Sequence, residues 1–471
     1  MGLFTWVTKR VTNELMDEAM KRLSKDGYVE NLFEMIPSSK KVTPIALMEI
    51  AMRATQGRPP GRPLGSHYRF SHWEQLLFNP VHLMRMPIPE DQLITTEVII
   101  GPQAKKPLHL SIPIVIAAMS FGGALSKSAK IALARAATAT GTATNTGEAG
   151  LLPEERQAAA LLIGQYNRGG WLNEREKYEQ LDAIEIQLGQ GAQGSTPQRT
   201  RAQQIGEDFR RVFELREGQD AIIHSRLPGV DSPEDFVQLV RRLKSEVEVP
   251  VGLKIAATHY LEDEMRYALE AGCDFITVDG AEGGTHAAAP TMEDDLGLPT
   301  MWAVSRAAKY LHRQGAKGTI SLLAAGGLIT PGEFMKAMAL GADAVYTGTA
   351  AVMALVANQM DKALPFEPPT DLVVYSGKMT DRLDIDQATQ GLTNFLQACV
   401  SEMQLLCTSL GRPSLQEVTR EDLCCLDPYM AKALGVDIAY VPSQQQEEYF
   451  RQWPLMPGSE EVNSESSHYL H

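Results

Sequence analysis

The fold is decided by two stretches of sequence, Ile320-Ser321-Leu322-Leu323-Ala324-Ala325-Gly326-Gly327-Leu328 and Ala344-Val345-Tyr346-Thr347-Gly348-Thr349. Each contains a short apolar run that ends at glycine, and each leads into a segment with apolar residues at helical spacing. Strands that alternate with helices form parallel sheets, because a parallel neighbour is reached only through a long crossover connection. The two stretches therefore predict consecutive strand–helix units.

The same alternation extends outward from these units over about 250 residues, the usual size of a (β/α)8 barrel. The predicted strands are Ile112–Ala118, Gly141–Asn145, Ala183–Leu188, Ala221–Ser225, Val251–Ala256, Phe275–Asp279, Ile320–Ala325 and Ala344–Thr347. The predicted helices between them include Ser126–Thr138, Pro233–Ser245, Leu261–Ala271, Thr300–His312 and Pro331–Leu340. This pattern predicts an α/β fold, a (β/α)8 TIM barrel with its active site at the carboxyl ends of the strands. A doubly wound open sheet is the alternative, because periodicity does not show closure.

The pattern divides the chain into three regions. Residues 1–95 are predicted to form a helical and irregular N-terminal extension, in which the segment 57–63 interrupts any helix with prolines and glycines. Residues 96–370 are the predicted barrel. Residues 371–471 are predicted to be a mainly helical C-terminal extension with a frayed polar tail.

Charge and composition exclude several classes of protein. The 44 basic and 58 acidic side chains give a net charge of −14, so counterion release cannot favour binding to a polyphosphate, and no nucleic acid partner is expected. The N-terminal region has no apolar stretch typical of a signal peptide or membrane span. The five cysteines form neither a disulfide framework nor a metal-binding spacing, which predicts a cytoplasmic protein with no metal site.

Glycines at the ends of the last two predicted strands indicate a phosphate site. Gly326 and Gly327 follow the seventh strand, while Gly348 and Thr349 follow the eighth and begin a helix. Glycines let backbone N–H groups approach an anion, and a helix N-terminus carries partial positive charge. The alternative is that these glycines only form tight turns.

Lys254 interrupts the otherwise apolar fifth strand. A lysine there would lose its hydration unless an anionic or electron-rich group met it inside the barrel mouth. Its charge would suit the anionic edge of a reduced flavin. The alternative is an ion pair with a structural carboxylate such as Asp279.

Further polar residues follow the other strands. Gly283, Gly284 and Thr285 leave space for a flat ring, and the adjacent His286 is either a proton carrier or a hydrogen-bonded loop residue. Glu148 follows the second strand among glycines and is a candidate for acid/base work on a substrate, with a cap or salt bridge as the alternative.

Taken in order, these residues resemble the FMN-binding domain of glutamate synthases, over roughly residues 107–356. The motifs are Ile116-Ala117-Ala118-Met119-Ser120-Phe121-Gly122, Asn145-Thr146-Gly147-Glu148, Gln190-Gly191-Ala192, Lys254, Asp279 to Thr285, Gly326-Gly327-Leu328 and Gly348-Thr349. The resemblance implies FMN near Met119, Ser120, Asn145, Gln190 and Lys254, with its phosphate at Gly326, Gly327, Gly348 and Thr349. It also implies that Glu148 falls in the site where family members reductively aminate 2-oxoglutarate. Ala118, Gly283, Gly284 and Thr285 are predicted to line the same cofactor site, and Lys254 and His286 are predicted to act with Glu148, although His286 stands where the family usually has glycine.

The chain departs from the family pattern in three respects. Only about 100 residues precede the barrel, so no glutaminase domain is expected. The stretch 354–360 after the eighth strand lacks the cysteines that hold an iron–sulfur centre in the family. Gln193 replaces a family lysine, which removes a cation expected to meet the dicarboxylate substrate. Arg168, Arg199, Arg201 and Arg226 are the candidates to replace that charge.

The leading interpretation is an FMN-dependent oxidoreductase that acts on a small amino or oxo acid or an imine, with Gln193 on the substrate side. Glutamate formation from 2-oxoglutarate and externally supplied ammonia is the special case implied by the resemblance, with a reductase or glutaminase chain as a possible partner. One alternative is a flavin-binding subunit that needs a partner chain for turnover. The other is a non-flavin, phosphate-binding barrel enzyme acting on a nucleotide, which would require a nucleophilic cysteine, whereas Cys273 stands at the entrance to a strand.

Overall fold

The computed structural model describes residues 10–18, 21, 43–58, 65–66, 68–285 and 288–452. Predictions for the first nine residues, for most of the segment 57–63 and for the polar tail beyond residue 452 lie outside the described residues. The boundaries of the three predicted regions remain predictions.

The described strands fall into one large sheet and three small ones. In chain order they are β1 (Leu76–Phe78), β2 (Val98–Ile100), β3 (Leu108–Leu110), β4 (Ile114–Ile116), β5 (Thr144–Asn145), β6 (Leu162–Tyr166), β7 (Ala183–Gln187), β8 (Gln198–Thr200), β9 (Ala221–Ile223), β10 (Val251–Ala256), β11 (Phe275–Asp279), β12 (Ser321–Ala325), β13 (Ala344–Thr347), β14 (Leu423–Cys425) and β15 (Asp437–Ile438). The large sheet contains eight parallel strands in the order β4-β13-β12-β11-β10-β7-β6-β5.

The two ends of this sheet meet and close it into a barrel. The N–H of Ile116 donates to the carbonyl of Ala143 at 3.0 Å, and the N–H of Ser111 donates to the carbonyl of Gly141 at 2.8 Å. These bonds join β4 to the segment that leads into β5. The predicted (β/α)8 barrel is therefore confirmed, and the open sheet is excluded.

One predicted barrel strand was wrong and one barrel strand was missed. Ala221–Ser225 is not a barrel stave, because β9 pairs antiparallel with β8 in an excursion between β7 and β10. The missed stave is β6, whose centre holds Gly164 and Gln165 instead of apolar residues. A Cβ on Gly164 would lie 2.2 Å from Leu181 Cδ1, and the Gln165 side chain faces the barrel interior. Because packing and the polar interior require Gly164 and Gln165 at its centre, a search for apolar runs does not find this strand.

The predicted helices are confirmed, each within a few residues of its expected bounds. The described helices are α1 (Pro44–Gln56), α2 (Lys127–Thr140), α3 (Pro153–Ala158), α4 (Arg175–Tyr178), α5 (Glu207–Val212), α6 (Pro233–Glu246), α7 (Leu261–Ala271), α8 (Pro290–Asp295), α9 (Thr300–Arg313), α10 (Pro331–Ala339), α11 (Thr349–Val356), α12 (Ile385–Leu410), α13 (Pro428–Leu434) and α14 (Gln446–Gln452). Side-chain caps fix several starts: Ser126 accepts from the N–H of Ala129, and Thr330 forms a capping box with Glu333. None of these helices is long and apolar enough to cross a membrane.

The C-terminal extension packs against the barrel through α12, a helix of 26 residues. It buries Leu392, Leu396 and Cys399 in the same apolar core that contains the alanine-rich face of α2. Elsewhere, β14 pairs antiparallel with β1. The segments before and after the barrel therefore meet each other and share its core.

A fully buried lysine on α2 ties the first two strand ends together. Lys130 Nζ donates to the carbonyls of Met119 at 2.7 Å and Asn145 at 2.8 Å, and it lies 2.8 Å from the Glu155 carboxylate. Burial raises the pKa of Glu155, while the neighbouring ammonium opposes that rise. Lys130 therefore fixes the positions of the backbone after β4 and at the end of β5, at the barrel mouth.

We expect Lys130→Met to lower the free energy of unfolding by about 3–5 kcal/mol, because it leaves the Glu155 carboxylate and two carbonyls buried without a donor. The double variant Lys130→Met/Glu155→Leu should recover a large part of that loss, since removing both charges is far cheaper than removing one. Chemical denaturation of the three proteins measures both effects. A double variant no more stable than Lys130→Met would contradict the ion-pair assignment.

Candidate functional site

The predicted site residues in the described part of the chain converge on one end of the barrel. Each lies in the second half of a barrel strand or in the segment that follows it, at the face that carries active sites in this fold. Two contacts join neighbouring loops there. Gly147, at φ 68°, approaches Ser120 so closely that a Cβ would lie 2.6 Å from its nitrogen, and the N–H of Ala192 donates to the carbonyl of Gly283 at 2.8 Å.

Lys254 points into the barrel from β10. Its side chain is almost completely buried, with Nζ 3.0 Å from Asp279 Oδ2 on β11 and 5.7 Å from the centre of the Tyr346 ring on β13. The ion pair with Asp279 that the sequence left open therefore exists. Burial lowers the pKa of Lys254, but the charges of Asp279, Glu185 and Glu148 outweigh burial and raise it. The ammonium stays charged at neutral pH.

A carboxylate that the sequence reasoning missed lies in the barrel interior. Glu185 on β7 is fully buried and accepts four hydrogen bonds from four other strands. Oε1 accepts from Asn145 Nδ2 at 3.1 Å and Gln165 Nε2 at 2.8 Å, and Oε2 accepts from Thr277 Oγ1 at 2.8 Å and Tyr346 Oη at 3.1 Å. The same signal that singled out Lys254, a polar residue inside an apolar strand, was available for Glu185.

Asn145 is tied into the protein by its whole side chain. Its Nδ2 also lies 3.3 Å from Tyr346 Oη, and its Oδ1 accepts from the N–H of Gly147 at 3.0 Å. The amide therefore supports the loop that carries Glu148. A direct contact from Asn145 to a cofactor stays a prediction.

Three glutamines form a chain of amides along the loop after β7. Gln187 Nε2 donates to Gln190 Oε1 at 3.1 Å, and Gln190 Nε2 donates to Gln193 Oε1 at 2.8 Å. Thr285 Oγ1 also reaches Gln193 Oε1, at 3.3 Å, so the chain connects to the loop after β11. The predicted residues Gln190, Gln193 and Thr285 are thus brought together.

Glu148 forms a bidentate ion pair with Arg168, which follows β6. Arg168 Nε donates to Oε1 at 2.9 Å and Nη2 to Oε2 at 2.8 Å, and both side chains are buried. The salt bridge that was the alternative for Glu148 therefore exists. Arg199, Arg201 and Arg226 are exposed and do not take the place of the missing lysine charge.

The strand ends at β12 and β13 present backbone donors. Gly326 and Gly327 adopt φ values of 111° and 65°, and a Cβ on Gly327 would lie 2.4 Å from Glu282 Cβ, so glycine is required there. Gly348 caps α11, and a Cβ there would meet only Ala117 Cβ at 3.4 Å. Within the described residues, the N–H groups of these three glycines and of Thr349 donate no hydrogen bond to the protein. Such a group of donors suits an anion.

The mouth also contains buried acceptors without donors. Gln165 Oε1, Gln187 Oε1, Asp279 Oδ1 and Glu282 Oε1 are buried and have no hydrogen-bond partner among the described residues. An unmet buried acceptor costs free energy, so four of them near one mouth indicate a bound molecule that brings hydroxyl or N–H donors.

Two clefts lie at the other end of the barrel, with volumes of about 410 and 520 Å³. Asp343 and Gln416 line both, and Ser321 at the start of β12 lines one of them. These residues lie at the amino ends of the strands, the face that serves stability in this fold. Neither cleft contains a predicted site residue.

Two remaining predictions concern single residues. His286 lies outside the described residues, so its predicted proton-transfer role remains a prediction. Cys273 is buried, and burial raises the pKa of its thiol to about 12, which argues against the nucleophile that the nucleotide-enzyme alternative needs. No three His, Cys, Asp or Glu side chains in the described ranges lie close enough to hold a metal ion.

Comparison with known proteins gives one family match and several similar proteins. The family described as a conserved region in glutamate synthase matches residues 72–413. A glutamate synthase large subunit-like protein of Rhizobium meliloti (strain 1021) is 32% identical over 413 residues, covering 83% of this chain and 93% of that protein. An archaeal-type glutamate synthase [NADPH] of Thermotoga sp. (strain RQ2) is 32% identical over 353 residues, covering 74% and 69%. A solved structure of mandelate oxidase with (S)-4-hydroxymandelic acid matches with a TM-score of 0.48 and 17% identity, covering 74% and 88%.

We expect Glu148→Gln to lower the free energy of unfolding by about 3 kcal/mol, because it leaves the buried Arg168 guanidinium without its counter-charge. The matched control is Glu179→Gln, which breaks the exposed pair between Glu179 and Arg175 and should leave stability close to wild type. Urea unfolding of the two variants compares the losses. Equal losses would mean that the Glu148–Arg168 pair contributes no more than a surface pair.

Proposed function

Because the chain belongs to the glutamate synthase family, we propose that it is an FMN-dependent oxidoreductase acting on a small amino acid, on an imine, or on an oxo acid together with ammonia. One observation carries the proposal: the charged Lys254 and the donor-rich glycine ends of β12 and β13 belong to the same barrel mouth. A molecule with an anionic tail and an electron-accepting ring matches both features.

The residues present fit FMN. The N–H groups of Gly326, Gly327 and Gly348, which have no acceptor within the described part of the chain, would hold its phosphate, assisted by the partial positive charge at the start of α11. The unmet acceptors Gln187 Oε1 and Asp279 Oδ1 suit the hydroxyl and N–H donors that FMN brings. The predicted contacts at Ala118, Met119, Ser120, Gln190, Gly283 and Gly284 belong to this proposal.

When bound, FMN supplies hydride transfer. Lys254 places a positive charge inside the mouth, and Asp279 fixes the position of its ammonium. Glu148 is held at both oxygens by Arg168 and presents its remaining lone pairs to a substrate nitrogen. His286 is the proposed proton carrier of the same site.

The substrate side differs from that of an enzyme for dicarboxylates. Gln193 is buried and its amide already accepts from Gln190 and Thr285, so it offers no full charge to a carboxylate. Lys254 and Arg168, the two buried cations of this site in the described residues, are each paired with a carboxylate. We therefore place monocarboxylate amino acids, oxo acids and imines first, and glutamate formation from 2-oxoglutarate and external ammonia second.

The electron source is proposed to be a nicotinamide cofactor, a separate reductase chain or the substrate itself. The Thermotoga relative carries NADPH in its name, which supports the first of these. A glutaminase chain is the proposed partner if ammonia is used. Five free cysteines suit a reducing cytoplasm, where we place the protein.

The proposal is tested by binding FMN and riboflavin in parallel. We expect FMN to bind with an absorbance band near about 450 nm, and Thr349→Glu to weaken FMN at least about tenfold because its carboxylate repels the phosphate. Riboflavin, which lacks the phosphate, should bind both proteins alike. Thr349→Gln is the neutral control, and the exposure of Thr349 at the start of α11 lets either substitution fold.

The outcomes separate the alternatives. Wild-type protein that binds neither flavin would favour the non-flavin, phosphate-binding enzyme. Equal weakening of FMN and riboflavin by Thr349→Glu would show that the FMN phosphate does not bind at the start of α11. Anaerobic bleaching of the bound flavin by a nicotinamide alone would refute a subunit that needs a partner for turnover.

We expect Gln193→Lys to increase turnover of 2-oxoglutarate with ammonia relative to wild type, because it restores a cation beside the substrate. The control is Gln204→Lys, which adds the same charge at an exposed position. Anaerobic oxidation of the reduced enzyme by 2-oxoglutarate and ammonia measures the change. If Gln193→Lys binds FMN normally yet leaves this rate unchanged, the missing charge at residue 193 does not set the specificity.

A further inference from the structure

Glu185 is a buried carboxylate that no step of the proposed function uses. It is fully buried, and within the described residues no lysine, arginine or histidine lies within 4 Å of its oxygens. Moving a carboxylate into a protein interior costs several kcal/mol even after relaxation, and well-packed apolar residues usually serve stability better. A charge kept there therefore calls for a role beyond filling the barrel.

The bonds of Glu185 reach the strands that carry the mouth. Its four donors come from β5, β6, β11 and β13, so a single carboxylate fixes side chains on four of the seven other staves. Asn145, one of the donors, supports the Gly147 turn that leads to Glu148. Tyr346, another donor, lies under the Lys254 ammonium. The network thus connects the barrel interior to two of the three predicted catalytic groups, Glu148 and Lys254.

The charge of Glu185 also acts on Lys254. The groups that face this ammonium are Asp279 on β11, Glu185 on β7, Tyr346 on β13 and Glu148 after β5. Asp279 contacts the ammonium directly, whereas Glu185 acts through its field without a hydrogen bond to it. Among the described residues Glu185 accepts hydrogen bonds only from neutral donors, so no cation in contact with it lies between it and the lysine.

We propose that Glu185 is the positioning residue of the cofactor site, which orients Asn145 and Tyr346 and holds the Lys254 ammonium charged in place before the cofactor binds. This inference rests on the proposed function, because the cofactor it prepares for is FMN. Glu185 itself touches neither cofactor nor substrate in this scheme.

Glu185→Gln tests the charge while keeping the shape. The glutamine Oε1 can still accept from Asn145 and Gln165, and the hydroxyls of Thr277 and Tyr346 can reverse to accept from its Nε2. The matched control, Tyr346→Phe, removes one donor but retains the carboxylate. The measurements are the FMN dissociation constant by fluorescence titration from about pH 7 to about pH 11.5, beyond the ordinary pKa of lysine, and the unfolding midpoint of each protein without FMN.

We expect Glu185→Gln to weaken FMN binding about tenfold at neutral pH and to shift its alkaline limit to lower pH. The sign follows from Lys254: removing a nearby negative charge lowers the pKa of the ammonium, so the charged form is lost earlier as the pH rises. Tyr346→Phe should leave the alkaline limit where it is in wild type. A purely structural role would lower the unfolding midpoint of both variants and leave the pH profile of binding unchanged.

The possible outcomes distinguish failure of the positioning role from failure of the proposed function. Wild-type affinity and pH profile in Glu185→Gln would overturn the positioning role while the proposed function stands. Wild-type protein that does not bind FMN would overturn the proposed function, and the positioning role with it. If Glu185→Gln does not fold, Thr277→Val/Tyr346→Phe frees Oε2 and keeps the charge. That variant should bind FMN more weakly at every pH, and unchanged binding would overturn the proposal.

Discussion

The burial of one ammonium inside a closed sheet is the constraint on which the mouth of this protein depends. Lys254 cannot be hydrated there, so the surrounding strands must supply negative charge. Asp279 does this by contact, and Glu185 and Glu148 do so from a distance. Glu148 and Glu185 then need donors of their own, which come from Arg168 and from neutral side chains on the neighbouring strands, respectively. The charged and polar side chains inside the barrel therefore depend on one another through these contacts.

The same reasoning explains why the upper loops contain so many glycines and buried pairs. Gly147 lets two loops approach within a backbone contact, and Lys130 fixes the carbonyls beneath them. Two strands round the barrel from β4, Gly326 and Gly327 adopt left-handed φ values, and their N–H groups have no acceptor among the described residues. The mouth thus combines loops that are bonded to each other after β4 and β5 with unused donors after β12. This combination matches a ligand with a ring at one end and an anion at the other.

The sequence predicted the barrel, most helices and the placement of the strand-end residues, because these follow from periodicity and from glycine chemistry. It failed at β6, where Gly164 and Gln165 replace the apolar residues that mark a buried strand. It identified Lys254 as exceptional but missed Glu185, although both are charges inside apolar strands. It could not place the tip of Arg168, because a long side chain after a strand can reach several loops. The pairing of Arg168 with Glu148 depends on the closed geometry of the sheet.

The pairing of β1 with β14 has a practical consequence for anyone who wishes to shorten this protein. A barrel cut free after α11 would lose the strand that hydrogen-bonds to Leu76–Phe78 and would uncover the alanine-rich surface of α2 that α12 now shields. Such a fragment would present the unpaired β1 segment together with an exposed apolar helix face, a combination that favours aggregation. Fusion tags and immobilisation handles should therefore be attached before β1 or after β14, so that the β1–β14 pair and α12 stay intact.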